Sequence, residues 1–246
     1  MTRVLWIAVM IVGAAAANAQ AANIVNNGGF ESGFTSWTRS DQVGSEGTFA
    51  LQTGTLSPVN GDPVPAPPGG LTAAMTDAQG PGSHVLYQDV VVPALVPSAT
   101  LSFDLFVGNR ANAFFTPATL DFATPTLNQQ ARVDILTTAA VPFSVGASDV
   151  LLNAFQTHGG DPLVSGYTHY TVDVTSLLNA HLSQTLRVRF SEVDNVFTFQ
   201  LGVDNVALDV GASQTVPEPG SSVLIVTAAG VALAWQRHRR RAGRRM

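Results

Sequence analysis

The sequence predicts an all-β protein, an antiparallel β-sandwich with a short apolar segment at each end of the chain. Between residues 23 and 210, short runs of alternating apolar and polar residues are separated by loops rich in Gly, Pro, Asn, Asp and Ser. The chain contains no cysteine, so disulfides do not stabilise its core. About 190 residues are enough to bury a stable core without them. We therefore expect one sandwich domain over residues 22–212.

The first apolar segment has the pattern of a secretory signal peptide. Arg3 precedes Val4–Ala17, which carries no charge. The sequences Ala17-Asn18-Ala19 and Ala19-Gln20-Ala21 both fit the small-x-small cleavage rule. We therefore assign residues 1–21 to a signal peptide and predict export; the alternative is an anchor that is not cleaved.

The central region contains nine predicted strands and one predicted helix. Alternation is weaker in the first three strands, and proline and glycine exclude residues 57–70 from strand interiors. Residues 174–181 favour a short helix with Thr175 as its N-cap. The predicted strands are Trp37–Ser40, Thr48–Gln52, Leu71–Thr76, Val85–Val92, Thr100–Val107, Ala131–Leu136, Tyr167–Val174, Leu186–Val193 and Phe197–Val210.

Strand alternation also assigns side chains to faces. Leu101, Phe103 and Leu105 share one face and are expected in the core, as is Trp37. Charged residues occupy the opposite positions and are expected to gather on one polar face. We predict a ligand face there, formed by Asp104, Arg132, Asp134, Asp173 and Arg187, with His169 and Arg189 beside it.

Two other interpretations of this face stay open. Cross-strand salt bridges between its arginines and aspartates are favoured, whereas Asp104, Asp134 and Asp173 could instead pair as acid and base in a cleft. The loop from Gly108 to Gln129 carries three phenylalanines, which could stack on sugar rings but are more typical of an apolar cover over the sandwich edge. They are Phe114, Phe115 and Phe122.

The C-terminal segment combines a proline motif, an apolar run and a basic end. Pro217, Glu218 and Pro219 exclude regular structure, and residues 221–235 then carry no charge. As a helix this run spans about 22 Å, short of the roughly 30 Å hydrocarbon core. Six arginines follow within residues 237–246 and favour a cytoplasmic end. We therefore expect a transmembrane helix at about 220–236; an ordinary tail anchor is the alternative.

In its order of motif, apolar run and arginines, this segment resembles the PEP-CTERM sorting signal. The resemblance covers residues 213–246, with Pro217, Glu218 and Pro219 as the motif. It implies recognition by an exosortase in the inner membrane and removal of the segment there. The implied route is export, an inner-membrane intermediate, and then the cell surface or extracellular matrix.

The body of the chain resembles galactose-binding-like jelly rolls and related carbohydrate-binding modules. The resemblance rests on the opening Gly28-Gly29-Phe30-Glu31 and the closing Val203-Asp204-Asn205-Val206. It implies a jelly-roll-like sandwich and a structural calcium ion held by Glu31 and Asp204, with carbonyls near Asn26 and Gly28. In the alternative interpretation, Glu31 accepts hydrogen bonds from backbone N–H groups of a glycine-rich turn.

Charge and missing motifs narrow the function classes. Residues 22–218 contain five arginines, no lysine and all 17 acidic residues, which gives a formal charge of −12. Such a body repels nucleic acid and anionic surfaces but suits divalent cations and neutral sugars. The common catalytic and phosphate-binding motifs are absent from the sequence. We therefore predict a non-enzymatic surface or exopolysaccharide-matrix protein with weak glycan binding; the alternatives are a polysaccharide hydrolase and a purely structural or adhesive protein.

Overall fold

The computed structural model describes residues 21–211. The predicted signal peptide and the predicted sorting segment, with Pro217, Glu218 and Pro219, lie outside the described residues. Within 21–211 no helix has both the length and the apolar character needed to cross a membrane. The described residues form two antiparallel sheets, which confirms the all-β sandwich; the finer jelly-roll description stays a prediction.

The strands are numbered in chain order. The first sheet has the order β3-β4-β11-β6-β9, with β1 on β11, and the second has the order β2-β5-β10-β7-β8. The elements are β1 Ala22–Asn23, β2 Thr38–Asp41, β3 Thr48–Thr53, β4 Thr72–Asp77, β5 Gly82–Val91, β6 Ala99–Asn109, β7 Gln129–Thr137, β8 Val150–Gln156, β9 Thr168–Asp173, α1 Thr175–Asn179, β10 Thr185–Asp194 and β11 Phe199–Val210.

The core lies between the sheets and follows the predicted alternation. Leu101, Phe103 and Leu105 of β6 are buried. The Phe103 ring meets the Phe190 ring of β10 edge to face, with centroids 5.6 Å apart. Trp37 is also in the core, and its indole N–H donates to the Asn27 carbonyl at 3.0 Å. Replacing a buried phenylalanine by alanine costs about 3–5 kcal/mol, so contacts of this kind hold the sheets together.

Loops cover part of the outer face of each sheet. On the first sheet, Val64 of the proline-rich loop packs with Met75 and Phe106, and Tyr167 adds to this small cluster. On the second sheet, residues 138–149 lie over β7 and β10, as the hydrogen bonds described below show. Side chains that alternation assigns to solvent are therefore buried on both outer faces.

The ends of the described body meet at one place. Ala22 of β1 pairs with Val210 of β11, and Asn23 pairs with Asp209. The Asn23 side-chain oxygen accepts hydrogen bonds from the N–H groups of Val25 and Leu208. The first and last described strands are therefore neighbours in the first sheet.

Two local predictions differ from the structure. Strand β8 was not predicted, because its sequence Val150–Gln156 has no clean alternation, and its register with β7 shifts twice. The helix exists, but Thr175 is not its N-cap. Val174 holds that position without a side-chain hydrogen bond. The Thr175 hydroxyl instead accepts the Ala99 N–H at 2.8 Å and ties the helix to β6.

The loop between β6 and β7 crosses one end of the sandwich. Phe114 is buried and packs on Phe199, with ring centroids 5.8 Å apart. The Phe122 N–H donates to the Ser83 hydroxyl at 3.0 Å, and Asn128 donates to the Thr119 carbonyl at 3.0 Å. The predicted covering role therefore fits Phe114, although this loop covers an end rather than an edge.

Candidate functional site

Glu31 and Asp204 fasten the same short segment of chain. Glu31 Oε1 accepts the N–H groups of Leu71 and Thr72 at 2.8 and 2.9 Å. These backbone hydrogen bonds, that of Thr72 first, lower the pKa of Glu31. Asp204 accepts the Gly69 N–H at 3.0 Å. The backbone-binding interpretation of Glu31 is therefore confirmed.

One position of this segment requires glycine, because the Glu31 side chain packs directly against its backbone. Gly70 has a φ of 62°, in the left-handed region, and an added Cβ there would collide with the Glu31 carboxylate. The carbonyls predicted as further calcium ligands already accept hydrogen bonds. The Asn26 carbonyl binds the Gln88 amide at 2.9 Å, and the Gly28 carbonyl binds the Val206 N–H at 3.0 Å.

Charge accumulates around Asp204. Burial raises its pKa to about 6, and the nearby carboxylates of Asp104 and Glu31 add to the rise. Asp204 is fully buried, and no arginine of residues 21–211 forms an ion pair with Glu31 or Asp204. The arrangement would accept a cation, and calcium binding by Glu31 and Asp204 stays a prediction.

The residues of the predicted ligand face do not come together. Asp104 and Asp173 lie on β6 and β9 of the first sheet, whereas Arg132, Asp134 and Arg187 lie on β7 and β10 of the second. Alternation establishes which face a residue takes within its own sheet, but it does not establish which sheet the strand joins. Whether either group binds a ligand stays a prediction.

The second-sheet group is a buried ion-pair network. Asp134 binds Arg132 at 2.8 Å and also binds Arg189, and the Asn153 amide donates to it at 2.8 Å. Arg189 is fully buried and donates to the carbonyls of Pro142 and Ser144 at 2.8 and 2.6 Å. The predicted salt bridges of Asp134 are therefore present, and residues 138–149 cover them rather than the loop from Gly108 to Gln129.

Arg187 has a different partner from those predicted. It forms two hydrogen bonds with Asp89, at 2.7 and 2.9 Å, and its guanidinium lies 3.9 Å from the Tyr87 ring centroid. The hydrogen bond to Asp89 raises the pKa of Arg187. This pair sits at the margin of the network and is only partly exposed.

Neither Asp104 nor Asp173 of the first sheet pairs with an arginine of the described residues 21–211. Asp104 binds His169 Nδ1 at 2.7 Å and accepts the Asn205 amide at 2.7 Å. Asp173 accepts the Thr175 N–H at 2.8 Å, and its hydrogen bonds with Thr175 lower its pKa. The predicted arginine partners of Asp104 and Asp173 are therefore wrong.

An aromatic cleft opens between the last strands of the two sheets. We call it the edge cleft; its volume is about 370 Å³, and its lining includes Phe155 of β8, Tyr170 of β9, Thr157, Asp161, Ser165 and Thr168. The Phe155 and Tyr170 rings meet edge to face at 4.9 Å, and Tyr170 stacks on Phe103 at 5.6 Å. Its size falls within the range of small-ligand pockets.

The chemistry of the edge cleft is an aromatic floor with a polar rim. Burial, with a smaller contribution from Asp161, raises the pKa of Tyr170, so the hydroxyl stays protonated. An aromatic ring can stack on the apolar face of a sugar, while hydroxyl and carboxylate groups bind its hydroxyls. The sequence does not reveal this site, because β8 has no clean alternation and because alternation assigns Tyr170 to the core side of β9.

Comparison with known proteins does not identify a family. No family model matches the chain, and no curated protein matches it. Similar solved structures include TmCBM61 in complex with β-1,4-galactotriose, with 12% identity, 76% of this chain and 97% of that chain covered, and a TM-score of 0.42. The K3 cleaved adhesin domain of Lys-gingipain from Porphyromonas gingivalis is also similar. It has 14% identity, 76% of this chain and 98% of that chain are covered, and the TM-score is 0.46.

A Stig cyclase from Fischerella sp. TAU is also similar, with 17% identity, 78% of this chain and 100% of that chain covered, and a TM-score of 0.43. The three structures belong to a binding module, an adhesin and an enzyme. All three TM-scores are too low to support an inference about the function of this chain.

Proposed function

We propose that this protein is an exported, non-enzymatic surface or matrix protein that binds glycan in the edge cleft. The observation that carries the proposal is the pair of Phe155 and Tyr170 at the open edge, with Asp161, Ser165 and Thr168 around it. The acidic body favours a neutral glycan over an anionic one.

Binding is tested with the full chain on a glycan array, followed by calorimetry on the best neutral glycan. Tyr170→Ala and Phe155→Ala should each weaken binding at least tenfold, since the stacking of a sugar on the aromatic ring is lost with the ring. Phe197→Ala is the matched control, because Phe197 is an exposed aromatic outside the edge cleft. Equal loss in Phe197→Ala, or no glycan bound at all, would contradict the proposal.

The hydrolase alternative requires two carboxylates on opposite sides of a glycosidic bond. Asp161 is the one carboxylate among the residues that line the edge cleft. The geometry therefore favours binding over hydrolysis. Release of reducing ends from the bound glycan, abolished by Asp161→Asn, would reverse this preference.

Export and sorting are part of the same proposal and rest on the sequence of the two ends. We expect an exosortase to remove the chain after about residue 220, which leaves the body at the cell surface or in the matrix. Intact-mass analysis of surface material tests this, and retention of Arg244 and Arg245 would contradict it. Glu218→Ala should leave unprocessed protein in the inner membrane.

A calcium ion between Glu31 and Asp204 also remains a proposal. Three neighbouring carboxylates support it, because Glu31, Asp204 and Asp104 form no ion pair with an arginine of residues 21–211. An ion at a hundredfold excess over its dissociation constant would stabilise the fold by about 2.7 kcal/mol. A calcium-selective chelator should therefore lower the melting temperature, and Asp204→Asn should remove that response. Identical melting curves with and without the chelator would exclude a tight site.

A further inference from the structure

Three ionisable side chains meet between the sheets, at the end of the sandwich crossed by the β6–β7 loop. His84 of β5 and Glu192 of β10 are cross-strand partners, and Asp194 lies two residues further along the same face. Their exposed fractions are 1%, 1% and 3%. One ligand atom from each of the three lies within 4.8 Å of the others. We call them the interior triad.

Two buried atoms of the interior triad have no hydrogen-bond partner within residues 21–211. They are His84 Nε2 and Glu192 Oε1. A buried polar atom left without a partner typically costs about 1–3 kcal/mol, so native proteins rarely keep two in one place. The pair therefore points to a ligand rather than to packing alone.

The other contacts of His84 prepare it as a ligand. Its Nδ1 lies 2.7 Å from Asp41 Oδ1. Because a carboxylate only accepts, Nδ1 is the nitrogen that donates to Asp41, which leaves Nε2 as the nitrogen that faces a ligand. A carboxylate on the far nitrogen is the usual support of a metal-binding histidine. An added Cβ on Gly82 would collide with Nε2, so glycine keeps this nitrogen accessible.

The two carboxylates lack a compensating charge. Within the described chain, neither Glu192 nor Asp194 forms an ion pair with arginine. Asp194 is positioned by the Gly82 N–H at 2.8 Å. A divalent cation would balance the two carboxylates, and it would also give both unpartnered atoms a partner.

A shared proton is the competing explanation. Burial and the charge of Asp194 raise the pKa of Glu192, and burial raises that of Asp194 to about 7. A proton on either acid could neutralise one charge. It would leave the lone pair of His84 Nε2 unused, however, unless the protonated acid donated to it, and the structure has no such hydrogen bond.

We propose that His84, Glu192 and Asp194 bind a divalent transition-metal ion of the zinc class. One imidazole nitrogen and two carboxylate oxygens suit zinc, whereas calcium prefers six to eight oxygen ligands. Asp194 also lines a cavity of about 230 Å³, bounded by Gln79, Pro81, Asn195 and Phe197. This cavity therefore lies directly against one of the three ligand residues.

Metal binding is tested on the full chain after removal of metal with a chelator. Zn²⁺, Mn²⁺ and Ca²⁺ are titrated separately by calorimetry, and Co²⁺ is added to record its visible absorption. We expect zinc to bind the triad with the highest affinity of the three ions, and Co²⁺ bound there to give a d–d spectrum. Preference for Ca²⁺ over Zn²⁺ at the triad would overturn the proposal.

Variants separate this site from other histidines. His84→Gln and Glu192→Gln should each weaken zinc binding at least a hundredfold and abolish the triad's Co²⁺ spectrum. Asp41→Asn should weaken it about 10–100-fold, because Asp41 only positions the ligand. His169→Gln is the matched control: His169 also binds an aspartate through Nδ1 at 2.7 Å, but it is largely exposed.

The outcomes are decisive even if one variant fails to fold. Glu192→Gln removes a buried charge and keeps the shape of the side chain, so it provides a second, independent loss of a ligand. Unchanged zinc stoichiometry and affinity in folded His84→Gln or Glu192→Gln would overturn the proposal. So would a loss of the same size in His169→Gln.

Discussion

A cluster of buried charged residues lies on each face of strand β10. The two clusters differ in whether each negative charge has a positively charged partner. On the outer face, Arg189 meets Asp134, which also binds Arg132. On the inner face, Glu192 and Asp194 lie beside His84, and neither forms an ion pair with an arginine of residues 21–211. Both groups are buried to a similar degree, so burial alone does not distinguish a structural group from a candidate binding site. The two groups are distinguished by whether a buried charge has an oppositely charged partner.

The largest effect is expected on the balanced face. Asp134→Asn leaves Arg132 and Arg189 buried without their carboxylate, and breaking a buried pair in this way costs about 3–5 kcal/mol. Urea unfolding at neutral pH measures the loss. Asp209→Asn is the control, since Asp209 lies near the end of β11 and forms no ion pair with other residues of 21–211. A loss in Asp134→Asn no larger than in the control would show that the network contributes little to stability.

An intermediate effect is expected at Asp77, which is buried but bound by neutral donors. The N–H groups of Val59 and Asn60 donate to its Oδ2 at 2.8 Å each. Burial alone would raise its pKa, but hydrogen bonds from Asn60, Ser57, Val59 and Gln200 lower it overall. Hydrogen bonds to a charged group contribute about 1.5–3 kcal/mol.

The sign of the pH dependence follows from that lowered pKa. The stabilisation by Asp77 is fully present above the pKa of the unfolded chain and is lost as the pH falls through the folded one. Unfolding free energies measured from pH 6 to pH 2 should therefore fall more steeply in the wild type than in Asp77→Asn. If the unfolding free energies of the wild type and of Asp77→Asn fall in parallel, Asp77 does not contribute to the acid sensitivity of the fold.

The smallest effect on the unfolding free energy is expected on the inner face of β10, and it should be near zero or opposite in sign to that of Asp134→Asn. In metal-free protein at pH 8, Glu192→Gln replaces a buried acid, whose charged form burial and Asp194 disfavour, and no ion pair with an arginine of residues 21–211 is lost. The unfolding free energy should stay within about 1 kcal/mol of the wild type or rise, in contrast to Asp134→Asn. The measurement is urea unfolding with a chelator present. A loss as large as that of Asp134→Asn would show that the inner face is balanced after all.

Alternation predicted much of the fold because it reports local geometry. It placed Leu101, Phe103 and Trp37 in the core, and the strands before and after them were predicted within a few residues. It could not predict sheet membership, since the pairing of β6 with β9 and of β7 with β10 depends on contacts distant in sequence. Asp104 and Asp134 were therefore grouped on one face although they lie on different sheets.

The interior triad was partly visible in the sequence. Glu192 and Asp194 follow Phe190 at intervals of two, so alternation places both acids on the core side of β10. His84 could not be added without the register that pairs it with Glu192. The edge cleft was less visible, because Phe155 lies on a strand whose bulges remove the period of two.

The pairing of β1 with β11 determines how the body carries a pulling force. Tension applied at Val210 runs along β11, which is paired with β6 from Phe199 to Val210. In this direction the hydrogen bonds of the ladder lie across the force and must yield together. Tension applied at Ala22 leaves the sheet at the same end but runs along β1, whose two residues share far fewer ladder hydrogen bonds with β11. A body held through its C-terminal side would therefore withstand drag on a bound polymer far better than one held through its N-terminal side.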